Sequence, residues 1–264
     1  MEVPLFNFTT VLLAIFSIGI GVWFVKSGQG TLSRRGYLDP AITPTLAVML
    51  CGMMFIFAGL GAWWGSGQGD DGTMQKTAWI YGSAAVAQIP VLLMYAKLHR
   101  KSYSRHILIV SCLAFAVFVP IALTVAAIGH ALLVAAGIEP HSNLGHETLK
   151  QLADAPWGSA TWVVVVCATL GAGVFEEIMY RGLLLPAFSS MFGGKTFWRA
   201  TIATSGFFAL MHIGAAQPSA IAGLFVLSIG LCWARVKSGG VVAPIVIHVV
   251  FNTMNIAFVY STHL

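Results

Sequence analysis

Charged side chains are scarce in this chain: 14 Lys and Arg and 9 Asp and Glu among 264 residues, or 9%. A soluble globular domain carries about 25%, so a soluble fold is excluded at the outset. Cysteine is equally uninformative as a scaffold. Cys51, Cys112, Cys167 and Cys232 each lie in apolar sequence and form no CxxC pair, which excludes a disulfide framework and a zinc knuckle. No HExxH sequence, internal repeat or low-complexity segment occurs. The first residues, Met1 to Leu5, hold an acid and no basic cluster, so no signal peptide is expected. The formal charge of +5 points to no nucleic-acid partner, because the basic residues fall in short segments between apolar runs, where they set membrane orientation.

Apolar sequence is abundant instead. The chain is 58% hydrophobic with a mean hydropathy of +0.84, the composition of a polytopic membrane protein. A helical span needs roughly 20 apolar residues, and candidates fall near 5–25, 43–64, 78–96, 107–137, 158–190, 200–215, 218–234 and 240–260. The uncharged run 200–234 would measure about 52 Å as one helix. A break is therefore expected at Gly214, Ala215, Ala216, Gln217 and Pro218. The expected architecture is an all-α membrane domain over 1–264 with about eight spans: four in 1–137, and a four-span core in 158–260.

Loop charge gives an orientation. With the N-terminus outside, Lys26, Arg34, Arg35, Lys97, Arg100, Lys101, Arg105, Arg181, Lys195, Arg199, Arg235 and Lys237 fall on the cytoplasmic side, leaving Lys76 and Lys150 outside. This split follows the positive-inside rule. Both termini are expected outside, in a cell membrane, with a bacterial plasma membrane favoured.

Polar groups within the spans are few, and the chemistry gathers after residue 158. Asn7, Gln88 and His130 read as hydrogen-bonding groups between helices. Glu176, Glu177 and Arg181 stand together in an apolar run, where a charge costs about 2.5–3.5 kcal/mol or more. Glu177 and Arg181 have the favoured spacing of a helical ion pair. Glu176 lies about 100° round the helix and has no local partner. Two later spans add Phe208 with His212 and His248 with Asn252, each pair four residues apart on one helix face. Rises of 1.5 Å per residue bring Glu176, His212, His248 and Asn252 to about the middle of the membrane.

Such a set supports peptide hydrolysis. A carboxylate and a neutral imidazole can share, orient and deprotonate a water. A second imidazole and a carboxamide can donate to the oxyanion of a tetrahedral intermediate. No serine or cysteine pairs with these histidines as a nucleophile. The same residues also permit a zinc site, with Glu176, His212 and His248 as ligands and a fourth position open to water. A proton-coupled transporter would use Glu and His too, but would show such groups in both halves.

At these residues the chain resembles the CAAX-protease and bacteriocin-processing (CPBP, or Abi) family of the type II CAAX prenyl endopeptidases. The likeness rests on Glu176-Glu177-x-x-x-Arg181, Phe208-x-x-x-His212 and His248-x-x-x-Asn252 in order on successive membrane helices, and covers about 158–260. The resemblance implies an intramembrane endopeptidase with a peptide or lipidated-protein substrate. In it, Glu176 with His212 activates water, His248 and Asn252 form the oxyanion site, and Glu177, Arg181 and Phe208 support them. It implies a glutamate-type enzyme requiring no metal, with zinc as the alternative. A non-proteolytic scaffold or bacteriocin-immunity protein using the same fold is the alternative function.

Overall fold

The computed structural model describes residues 42–99, 106–138, 147–192 and 197–263, with Gly19 alone before them. The first expected span, with Asn7, lies outside the described residues. Eight helices follow in order: α1 (Pro44–Ser66), α2 (Met74–Leu98), α3 (Ile107–Ala135), α4 (Glu147–Asp154), α5 (Ser159–Met191), α6 (Phe197–Leu210), α7 (Pro218–Ser238) and α8 (Val242–His263). Six of them, α1, α2, α3, α5, α7 and α8, are long and apolar enough to cross a membrane. The chain is an all-α, multi-pass membrane protein.

Local sequence sets several boundaries. Thr43 caps α1 by accepting from the Leu46 N–H, with Pro44 at the first helical position, and Thr73 caps α2 by accepting from the Lys76 N–H. Such hydroxyls satisfy N–H groups that have no partner within the helix. Gly239, at φ 74°, closes α7 in the left-handed conformation that glycine adopts without strain.

Two expectations change. The sixth span is a helix of 14 residues, about 21 Å long and short of a ~30 Å hydrocarbon core. It ends at Leu210, and the turn begins at Met211, three residues before the expected break. Gly214, at φ 91°, lies within that turn, which continues to Pro218. An uncharged run displays its Gly and Pro but not where the helix starts to unwind. The second change concerns charge. Arg181 is 0% exposed and Arg235 is 2% exposed, so neither is a loop charge that orients the chain. Helix α7 runs four residues beyond the expected 234, which draws Arg235 into the protein, where its Nε donates to the Arg181 carbonyl at 3.2 Å.

Two apolar cores flank the centre. One joins α1, α2, α5 and α6 through Leu50, Met54, Val91, Leu183 and Phe208. The other joins α3, α7 and α8 through Val117, Leu227, Leu231, Ala243 and Ile247. Small residues allow the close approaches, as they do in membranes generally. A Cβ at Gly223 of α7 would lie 2.7 Å from the Ala122 carbonyl oxygen of α3, and one at Gly173 of α5 would lie 2.5 Å from Val249 Cγ2 of α8. Gly173 thus brings α8 against α5 beside the paired glutamates.

Candidate active site

Helix α5 carries the site, and it is not a uniform α-helix. It widens into π-helix at Cys167–Gly171 and again at Ile178–Leu184, on either side of Glu176 and Glu177. Single π turns are rare and concentrate at functional sites. The two neighbouring glutamates leave this helix on different faces and meet different partners.

Glu177 is fully buried and central to a network across three helices. Its Oε1 accepts from Arg181 Nη1 at 2.8 Å and lies 2.7 Å from His248 Nδ1. Arg181 also donates through Nη2 to Ser228 Oγ at 2.6 Å and to the Ser228 carbonyl at 3.3 Å. Its guanidinium carbon stands 4.9 Å from the centre of the Phe208 ring, a cation–π contact. Burying two charges is costly unless hydrogen bonds satisfy them; these contacts engage Glu177 Oε1 and both terminal nitrogens of Arg181, while Glu177 Oε2 and Arg181 Nε are buried without a partner among the described residues. The ion pair expected from four-residue spacing is present, with both side chains 0% exposed.

Hydrogen-bond logic fixes the imidazoles. A carboxylate paired with Arg181 only accepts, so His248 carries a proton on Nδ1, and its Nε2 donates only in the imidazolium form. His212 Nδ1 lies 2.7 Å from the Phe208 carbonyl oxygen. A carbonyl also only accepts, so in the neutral ring Nε2 holds the lone pair. That Nε2 is 4.0 Å from Glu176 Oε2, too far for a direct hydrogen bond. Glu176 Oε2 is buried and has no hydrogen-bond partner among the described residues.

Phe208 touches both groups. Its ring centre lies 4.5 Å from that of His212 and 6.2 Å from that of His248. Asn252 stands one turn beyond His248 on α8, and its Nδ2 donates to the Ala168 carbonyl at 2.8 Å, tying α8 to the first π segment. The structure therefore brings Glu176 to His212, and Glu177 to Arg181 and His248, with Phe208 against both sets. It holds Asn252 on a backbone carbonyl. His212 stands in the turn after α6, not inside a helix as expected. Glu176 also lines a cavity of about 180 Å³ between α2 and α5. Among the described residues, no three or more His, Cys, Asp and Glu side chains gather closely enough to hold a metal ion.

Ser228 and the Ala168 carbonyl are participants that sequence reasoning missed. A serine in an apolar helix is unremarkable by pattern, and a main-chain carbonyl leaves no sequence signal.

Residues 158–254, which contain every group of this site, match the family model described as type II CAAX prenyl endopeptidase Rce1-like. The match covers less than half of the chain. A curated relative, the "Uncharacterized 24.3 kDa protein" of Escherichia coli, is 30% identical over 83 residues, covering 31% of this chain. The chain spans 38% of that relative's length. No solved structure matches the chain.

Proposed function

We propose that this protein is an intramembrane endopeptidase that hydrolyses a peptide bond of a membrane-associated, prenylated or bacteriocin-like substrate. The observation that carries the reading is the facing pair of acceptors in the Rce1-like segment, Glu176 Oε2 and His212 Nε2, 4.0 Å apart. Two acceptors at that separation suit a hydrogen-bond donor or a cation, and water is the donor that hydrolysis needs. One water gives a proton to each and is oriented by both. Glu176 takes the proton as the water oxygen attacks the substrate carbonyl, and His212 holds the water's other hydrogen.

The attack creates an oxyanion. His248, kept on Glu177 by its Nδ1–H, donates through Nε2 as the imidazolium, and Asn252 donates through the N–H not given to Ala168. Collapse of the intermediate returns the Glu176 proton to the leaving amine and breaks the C–N bond. Arg181 holds Glu177 in place through their ion pair and Phe208 lies between the two histidines. Hydrolysis by this route requires no metal. We assign the protein to a cell membrane with both termini outside, on the remaining loop charges.

The test is cleavage of prenylated CAAX-type peptides by the purified protein, wild type against Glu176→Gln, with and without a chelator after metal stripping. Loss in the variant with the chelator harmless is expected. Activity lost to the chelator and restored by zinc would replace the metal-free mechanism, and activity surviving Glu176→Gln would remove it. If nothing is cleaved, the scaffold or immunity reading gains.

A further inference from the structure

The chemistry above leaves one polar side chain beside Glu176 unexplained. The cavity between α2 and α5 is lined on α2 by Tyr81, Ala84, Ala85 and Gln88, at the spacing of one helix face. Contacts along the two helices fix the level of each residue. A Cβ at Gly82 would lie 3.6 Å from Val163, and one at Gly182 would lie 2.7 Å from the Tyr95 hydroxyl. The helices are thus parallel, and Gln88, between positions 82 and 95, stands at the depth of Gly171 to Glu176.

Gln88 does not tie two helices together, as its position in the sequence suggested. Its Nε2 donates to the Ala84 carbonyl of its own helix at 3.1 Å. Because a carbonyl only accepts, the nitrogen faces Ala84 and the oxygen is the unengaged atom. Among the described residues Gln88 makes no other hydrogen bond. The carboxamide therefore offers an acceptor and one N–H in a fixed orientation. The other polar groups nearby are committed: Tyr81 Oη is bonded to Thr148 Oγ1 at 2.6 Å, and Glu176 faces His212.

We propose that Gln88 is a positioning residue that binds one main-chain peptide unit of the substrate beside Glu176. Its Oε1 accepts the substrate N–H, and its second N–H donates to the substrate carbonyl. The inference rests on the peptidase reading for its occupant. In hydrocarbon every main-chain polar group must find a partner, and the alanine and glycine walls provide none through side chains. At about 180 Å³ the space is below the roughly 300–1,000 Å³ of small-molecule sites. It suits a short extended stretch of chain, so the lipid of a prenylated substrate lies outside it.

Cys167 lines the same cavity and reports its occupancy. In a Cys112→Ser background, which removes the exposed thiol, an S-farnesylated CAAX peptide should protect Cys167 from maleimide. Gln88→Met should raise the half-protecting concentration about tenfold, the loss of roughly one buried hydrogen-bonded contact. It should raise KM far more than it lowers kcat. Replacing the amide next to the scissile bond by an ester should weaken protection similarly in wild type and not further in Gln88→Met. If Gln88→Met does not fold, Gln88→Glu, which keeps the acceptor and lacks the donor, should remain sensitive to the ester.

Cleavage is followed in the same samples. Protection that depends on Gln88 without cleavage would sink the peptidase reading and keep this inference. Cleavage with protection and ester sensitivity indifferent to Gln88, or no protection of Cys167 at all, would overturn the inference alone.

Discussion

Replacing Arg181 by methionine removes the cation from a network with no access to solvent. Arg181 and Glu177 are both 0% exposed, so water does not soften the loss. Three donor contacts disappear: those to Glu177 at 2.8 Å, Ser228 Oγ at 2.6 Å and the Ser228 carbonyl at 3.3 Å. Breaking a buried pair from one side costs about 3–5 kcal/mol because a charge is left uncompensated. His248 remains on Glu177 and offsets part of that, which favours about 3 kcal/mol, the lower end of the range. Methionine retains apolar contact with Phe208, so little of the loss is a cavity. The assay is unfolding of the purified protein in mixed micelles against increasing sodium dodecyl sulfate. The Glu177→Gln/Arg181→Met double variant should regain about 1–3 kcal/mol over Arg181→Met, because the uncompensated charge is gone. A single variant within about 1 kcal/mol of wild type, outside the range for breaking a buried pair, would refute the reasoning. Strictly additive single variants would refute it equally.

The other expectations separate chemistry from packing. Asn252→Ala should lower kcat by about 10²–10³, equivalent to ~2.7–4 kcal/mol for an oxyanion donor. Its stability should fall only by about 0.6 kcal/mol, the mean for an interhelical bond in membranes; a kcat loss below tenfold would leave the Ala168 tie as its whole role. His212→Ala should cost about 10²–10⁴ in rate, while unfolding shifts by about 1 kcal/mol for the lost Phe208 carbonyl bond. Gly173→Val should destabilise by about 1–3 kcal/mol through overpacking against Val249, read by the same detergent titration; an unchanged midpoint would mean that α8 does not approach α5 so closely.

Much of this arrangement was legible because a membrane makes charge informative. Six long apolar helices and the Glu177–Arg181 pair followed from hydropathy and four-residue spacing, since few other solutions exist for charge in hydrocarbon. Glu176 stood out as the carboxylate left over. What stayed hidden depends on backbone detail that composition does not encode. The π segments of α5 have no turn residue to mark them, and the unwinding at Met211 occurs within uncharged sequence. Arg235 looked like a loop charge because its helix was expected to stop at 234. His248 was read with Asn252 from their shared face, whereas its nearest polar partner, Glu177, lies 71 residues earlier in the chain. Gln88 was expected to bond a neighbouring helix, as a lone carboxamide in a span usually does, whereas one of its N–H groups turns back on its own helix and its oxygen meets no helix among the described residues.

The π segments of α5 make its two ends rotationally independent. Each adds a residue to the winding without breaking the helix, so the phase of everything beyond it is advanced by about 100° relative to an unbroken α-helix. Deleting one residue within 167–171 would heal the first π segment and leave a continuous helix of ordinary appearance. Circular dichroism would hardly register the change. Yet Glu176, Glu177 and Arg181 would rotate together, turning Glu176 away from His212 and the intact Glu177–Arg181 pair away from His248 and Ser228. The spacing between the lipid-facing start of α5 and its charged centre is therefore a setting with single-residue resolution, and length variation there would be expected to matter more than substitution.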